Sequence, residues 1–330
     1  MSCLAICGLA ITLSFGATAP PTPIPPPAPV VAAVQPLEWL AARQLPDGGW
    51  PADGGETRVA VSARATLCFL GQGFDHKKSS PHRAVVERAC AWLTKASPGP
   101  SAEAAAWRLM ALAEGSAMSD DAGLRRSVAA GVADLLERRT GPAWPDPAAP
   151  TLIDTRTTAI AVMALISVKA TGTDTEDGLA LAKAWLTETA WRRPAGPFPA
   201  RTRLDGTAEG GRSAESEALV LAFFLMHRQG GFAEALETRV AEGQPPVDPS
   251  VAYLRVLGLF PKASAPSDEA TIKALLEADI TAGAVARTTY TILIHMMSTR
   301  MRQVEAHQAP RAPKDQTSIP ASSDTPPTNF

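Results

Sequence analysis

Large apolar pairs recur along the chain near the ends of short amphipathic stretches: Trp39-Leu40, Trp92-Leu93, Leu135-Leu136 and Trp185-Leu186, with weaker members at Leu236 and Leu275. The intervals between these starting points are 53, 43, 50, 51 and 39 residues, each long enough for one helical hairpin with its loops. Six hairpins in series bury their apolar faces only by stacking on one another. That leaves an open superhelix or a closed ring, and the irregular loop lengths together with the lack of polar capping repeats favour the ring.

Between these members lies a second type of helix, richer in alanine and often ending in glycine. It is represented by RATLCFLGQG (64–73), WRLMALAEG (107–115), AVMALISVKATG (161–172) and LVLAFFLMHRQG (219–230). The less regular VAYLRVLGLF (251–260) and ARTTYTILIHMM (286–297) continue the series. Helices apolar nearly all round must be covered on every side, whereas the stretch 122–139 shows one solvent face. The alanine-rich set is therefore expected inside and the tryptophan-bearing set outside, which makes an all-α ring of twelve helices in six hairpins. Aromatic content of only 5% and the near absence of alternating β-branched segments agree with an all-α chain.

The net charge of −2, with lysine and arginine scattered, provides no basic face for phosphates and argues against nucleic acid as a partner. Residues 1–19 carry no charge and hold an apolar run of signal-peptide length, so export or a short membrane anchor is expected, with a cytoplasmic location as the alternative. Residues 20–36 are proline-rich and read as a semi-rigid linker, 37–302 as the folded body, and the polar, proline-rich 303–330 as a disordered tail. Cys68 and Cys90 occupy apolar helical positions, where buried free thiols are expected and one disulfide between neighbouring helices is the alternative.

After the first amphipathic stretch the chain reads QLPDGGW (44–50). Through Gln44, Gly48 and Trp50 it resembles the Q-x-x-x-G-x-W repeat of squalene-hopene and oxidosqualene cyclases, and DTRTTAIAVMALISVKATG (154–172), preceded by GPAWPDP, is similar to the glycine-tryptophan loop and inner helix of that family. The resemblance implies an α/α toroid of the terpenoid cyclase and prenyltransferase class. In such a toroid the motif is a clasp, with the glutamine amide on free helix ends and the indole over a neighbouring hairpin.

The chemistry of that class is not visible. A D-x-D-D acid segment is missing, and so is the G-C-G-E-Q segment of thioester toroids; the cysteines and His76, His82, His227, His295 and His307 form no zinc-ligand spacing. No metal or cofactor is expected. His76 and His82, in FDHKKSSPHR, read as residues of a solvated loop, and Asp120-Asp121 reads as a helix cap.

Polar loops remain where outer helices lead into inner ones, at 44–58, 140–156 and 191–215. They carry Asp47, Asp53, Glu56 and Arg58, then Asp146, Asp154 and Arg156, then Arg201, Asp205, Glu209, Arg212 and Glu215. Asp154 also reads as an N-cap. Together with Trp107, Tyr253 and Tyr290 from inner helices, the residues Arg58, Arg156, Asp205 and Glu215 are the ligand-binding candidates at the mouth, and Asp154 and Asp53 the candidate acids.

The resemblance leads to the expectation of a catalytically degenerate toroid that binds an apolar or isoprenoid ligand, or a protein partner. An active terpene cyclase or isoprenoid-transferring enzyme with a different acid is the alternative. A carbohydrate-active α/α barrel is a third reading, with Asp205, Glu209 and Glu215 as carboxylates and only Trp50, Trp144 and Trp191 as sugar platforms.

Overall fold

A computed structural model of the chain describes residues 31–146, 149–168, 171, 175–185, 199–205, 207–212, 249–253 and 283–308. The outer helices are α1 (Val31–Ala41), α3 (Arg83–Lys95), α5 (Ala122–Glu137) and α7 (Glu176–Ala184). The inner ones are α2 (Arg58–Gly71), α4 (Ala102–Ser119), α6 (Thr155–Val168) and α8 (Val285–Gln308). Helix α1 begins inside the proline-rich stretch, with Pro36 within it, and α8 continues past the expected end of the body at 302. The expected outer members at Leu236 and Leu275 and the inner helix at 219–230 fall outside the described residues.

Burial separates the two rings. In α2 every residue from Val59 to Gly71 is buried, and in α6 all but Arg156 are, whereas α3 and α5 bury a single stripe, Val86, Ala89, Cys90 and Leu93 in the first and Leu124, Val128, Gly131, Val132 and Leu135 in the second. Among the inner helices α8 packs on α2, α2 on α4 and α4 on α6. The last helix thus returns to the first, and the α/α toroid is closed at the seam between α8 and α2. Arg64 of α2 donates through Nε to Thr289 Oγ1 at 3.3 Å, and the Cys68 thiol lies 3.4 Å from the Thr289 carbonyl oxygen. Asp53, in the loop ahead of α2, accepts the Ala286 N–H at 2.8 Å and so occupies the free end of α8.

Two tryptophans fasten successive hairpins in the same way. Trp50 donates its indole N–H to the Leu40 carbonyl at 2.7 Å and its backbone N–H to Ser62 Oγ at 2.8 Å. Trp144 repeats both bonds, to the Leu135 carbonyl at 2.7 Å and to Thr158 Oγ1 at 3.1 Å. Both indoles are completely buried. Each links the end of an outer helix to the first turns of the following inner one, which is why the motif recurs with the hairpin. Gln44 adds a second fastening: its amide nitrogen donates to the carbonyls of Gly48 and Val85 at 2.9 Å each, while its oxygen accepts from Arg88. Gly48 has φ of +100°, and a Cβ there would lie 2.4 Å from the Arg88 carbonyl oxygen, so glycine is required on both counts.

The loops at the mouth contain a feature that the all-α expectation did not include, a four-stranded antiparallel sheet in the order β1 (Pro145–Asp146), β2 (Ala149–Asp154), β3 (Pro199–Thr202), β4 (Ala208–Arg212). Ile153 pairs with Thr202 and Asp154 with Arg201, which ties the loop before α6 to the loop after α7.

Cys68 and Cys90 are both buried and neither forms a disulfide, so the disulfide alternative is excluded. The histidines also depart from expectation. His82 is only 5% exposed and its ring lies 5.1 Å from Phe69 and 4.8 Å from Phe74. His76 sits 3.2 Å from Asp121 Oδ2 with its side chain mostly covered. The turn is polar in sequence, yet it folds back over the ends of α2 and α4, and both rings are needed there as packing.

Candidate functional site

In a ring of hairpins the loops from outer to inner helices gather on one face, where all inner helices present their N-terminal turns. Caps at this face satisfy free amides: Thr57 receives the Ala60 N–H at 3.3 Å, Ser101 the Ala104 N–H at 3.1 Å and Asp154 the Thr157 N–H at 2.6 Å. The first two turns of α2, α4, α6 and α8 then carry Arg64, Glu103, Trp107, Arg156 and Tyr290.

These side chains converge. Arg156 donates to Glu103 Oε1 through Nε (3.3 Å) and Nη2 (3.0 Å), and Nη2 also reaches the Tyr290 hydroxyl at 3.2 Å. Glu103 further accepts the Trp107 indole N–H at 3.3 Å. The Trp107, Tyr253 and Tyr290 rings form a triangle with centroids 5.9 to 6.3 Å apart. Below them Arg64, completely buried, pairs with Glu56 at 2.5 Å and places its guanidinium 4.1 Å from the centre of the Tyr290 ring and 5.4 Å from that of Trp107. Because Arg156 stands on α6 and Tyr290 on α8, their contact spans the ring, and the interior is bridged at this level.

Electrostatics divide the groups. Burial opposes the Arg156 cation, but the adjacent Glu103 carboxylate holds it ionised beyond the usual arginine range. Burial pushes the Tyr290 hydroxyl up to about 12 against the pull of Arg64 and Arg156, so it remains a neutral hydroxyl. The Asp154 carboxyl is raised by burial, partly offset by its bonds with Thr157, and raised again by the negative charges of Glu103 and Asp146. Asp146 itself is buried and paired with Arg201 at 2.6 Å across the sheet. A carboxyl with a raised pKa, Asp154, thus feels the charge of an arginine-paired carboxylate, Glu103.

The remaining sequence candidates take other places. Asp53 is engaged in capping α8. Arg58 stays on the outer rim, 2.5 Å from Asp47 and 4.9 Å from the centre of the Trp92 ring. Asp205 accepts the Thr207 N–H at 2.8 Å within its own exposed turn, and Glu215 lies outside the described residues. Arg64 and Glu103 were not singled out by sequence. Arg64 carried a usable signal, since a cation in a helix otherwise apolar all round must find a partner. Among the described residues no group of three or more histidine, cysteine or acidic side chains is placed to hold a metal ion, and no helix is long and apolar enough to cross a membrane.

The toroid has a solved structural counterpart. A glycoside hydrolase family 76 mannosidase from Bacteroides thetaiotaomicron superposes on it with a TM-score of 0.61, over 84% of this chain and 99% of the other, at 8% sequence identity. At that identity the likeness establishes the fold. No protein-family model matches the chain, and no curated protein matches it.

This overturns the resemblance to squalene cyclases and prenyltransferases. The Gln44, Gly48 and Trp50 pattern that carried it is a general means of closing a helical hairpin, as its partial recurrence at Trp144 without the glutamine makes plain. The isoprenoid function inferred from that family falls with it, and what the structural counterpart establishes is the α/α toroid.

Proposed function

We propose that the toroid is a carbohydrate-active protein that binds a glycan at the mouth of the ring, where Asp154 acts as proton donor to a glycosidic oxygen. The observation that carries this reading is a carboxyl with a raised pKa, Asp154, within the field of the Glu103–Arg156 ion pair in an α/α toroid of the shape found in a mannosidase. Glycoside cleavage uses two carboxyl groups in opposite protonation states, one to protonate the leaving oxygen and one to act on the anomeric side as base or nucleophile. Asp154 suits the first role. Glu103, ion-paired with Arg156 and oriented by the Trp107 indole, suits the second.

Arg156 and Glu103, each partly exposed above the buried Trp107, Tyr253 and Tyr290 rings, provide donors and acceptors for the hydroxyls of a sugar. Export of the chain, expected from its leader, would place the mouth among extracellular glycans.

Incubation of the full chain with a panel of oligosaccharides, read by mass spectrometry for shortened products, tests the reading. We expect cleavage of at least one glycan and its loss in Asp154→Asn, with glycan binding retained. Turnover unchanged in Asp154→Asn refutes the role given to this residue, and failure to bind or cleave any member of the panel refutes the reading as a whole.

A further inference from the structure

We propose that a cleft on the mouth face, outside the ring and lined by Arg58, Arg88, Trp92 and Lys95, binds a carboxylate-bearing glycan chain. The proposal rests on the carbohydrate reading above and names the substrate class. The cleft measures about 800 Å³ and lies between the loop entering α2 and the loop entering α4, a size suited to several sugar units.

Charge is distributed unevenly around it. Its lining has three cations, Arg58, Arg88 and Lys95, against one carboxylate, Asp47, in a chain whose net charge is −2. Asp47 is already engaged: Arg58 lies 2.5 Å away and, by its hydrogen bond, holds the Asp47 carboxyl below the usual range. Lys95 is exposed and has no ion-pair partner among the described residues.

The two arginines are fixed from behind. Arg58 donates through Nε to the Trp50 carbonyl at 3.1 Å, and Arg88 donates through Nε and Nη2 to Gln44 Oε1 at 3.1 and 2.6 Å. Each keeps Nη1 without a hydrogen-bond partner among the described residues. The hairpin clasp thus orders two guanidiniums before any ligand arrives, which lowers the entropy lost on binding. Planar guanidinium groups match carboxylates better than they match hydroxyls.

Spacing on α3 argues for a polymer. Arg88, Trp92 and Lys95 are separated by four and three residues and share one face of the helix, about 10 Å from first to last. A cation at each end and an indole between them suit a strand that alternates charged groups with sugar faces, as a polyuronate does.

Titration calorimetry of the full chain with an oligogalacturonate and with a neutral manno-oligosaccharide of equal length tests the proposal. Wild type and Lys95→Glu are compared at two salt concentrations, with poly-glutamate as competitor. We expect the oligogalacturonate to bind about tenfold more tightly than the neutral chain, to weaken as salt rises, and to lose about tenfold in Lys95→Glu while thermal stability is unchanged. Equal affinity for the two oligosaccharides, or unaltered binding in Lys95→Glu, overturns the acidic-glycan cleft and leaves the carbohydrate reading intact. Equal competition by poly-glutamate overturns the sugar component. Binding of neither oligosaccharide overturns the cleft, and with the panel above also negative it overturns the parent reading.

Discussion

The indole N–H of Trp50 meets the carbonyl oxygen of Leu40 at 2.7 Å, entirely out of contact with water. Removing the ring by Trp50→Ala forfeits the packing of a large buried aromatic and leaves that carbonyl unpaired, a loss of about 3–5 kcal/mol. Trp50→Phe, which retains most of the packing and gives up the hydrogen bond, is expected to cost about 1–3 kcal/mol. Urea unfolding of the two variants measures the difference. Trp144→Ala should behave like Trp50→Ala, because Trp144 makes the equivalent bonds to Leu135 and Thr158.

Arg64 and Glu56 form a test of how a buried charge is tolerated. Glu56→Gln leaves the wholly buried guanidinium of Arg64 without its carboxylate, with the Tyr290 and Trp107 rings as its nearest cover. A destabilisation of about 3 kcal/mol is expected. The double variant Arg64→Met with Glu56→Gln should be more stable than Glu56→Gln alone, because it removes the uncompensated charge. Chemical unfolding of the single and double variants decides, and a double variant less stable than Glu56→Gln would show that the cation itself, through Thr289 and the rings, holds the seam.

Asp121 supplies a pH-dependent contribution. The backbone N–H of Leu124, then His76, Gly123 and Lys77, stabilise its ionised form and depress its pKa below the ordinary aspartate value. A carboxyl with a depressed folded-state pKa contributes stability above its unfolded pKa, and that contribution disappears as pH falls through the folded value. The gap in stability between wild type and Asp121→Ala should therefore be full at pH 6 and narrow as the pH drops below about 4. Thermal unfolding followed across that range checks it.

The charge on Glu103 is one cause of the raised Asp154 pKa. Glu103→Gln should move the Asp154 titration downward, toward the ordinary carboxylate range, without abolishing the shift that burial produces. Carboxyl-carbon NMR of Asp154 reads this directly.

The helical ring was legible because its signals are local and repeated. The recurrence of Trp39, Trp92, Leu135 and Trp185 marked outer helices α1, α3, α5 and α7, and the continuous apolar character of 161–168 marked an inner helix. The sheet at the mouth was not legible. Its strands are short and rich in proline and glycine, and the pairing of Ile153 with Thr202 joins segments separated by a whole hairpin. The candidate site was legible in part for the same reason. Trp107, Arg156, Tyr253 and Tyr290 stood out as uncommon side chains on inner helices or beside them, but Glu103 looks like any first-turn acid, and only the fold brings it to Arg156. The family resemblance misled because Gln44, Gly48 and Trp50 solve a problem of hairpin closure, and such a solution says little about what the ring encloses.

Closure of the toroid through Arg64 and Thr289 joins residues 225 positions apart. At ordinary rates of translation α2 leaves the ribosome on the order of tens of seconds before the helix that covers it. During that interval the seam face of α2 is exposed apolar surface on a growing chain. Biogenesis, more than the final stability of the ring, is then the stage at which this protein depends on protection from other molecules, and a chain cut short before α8 would carry that exposure permanently.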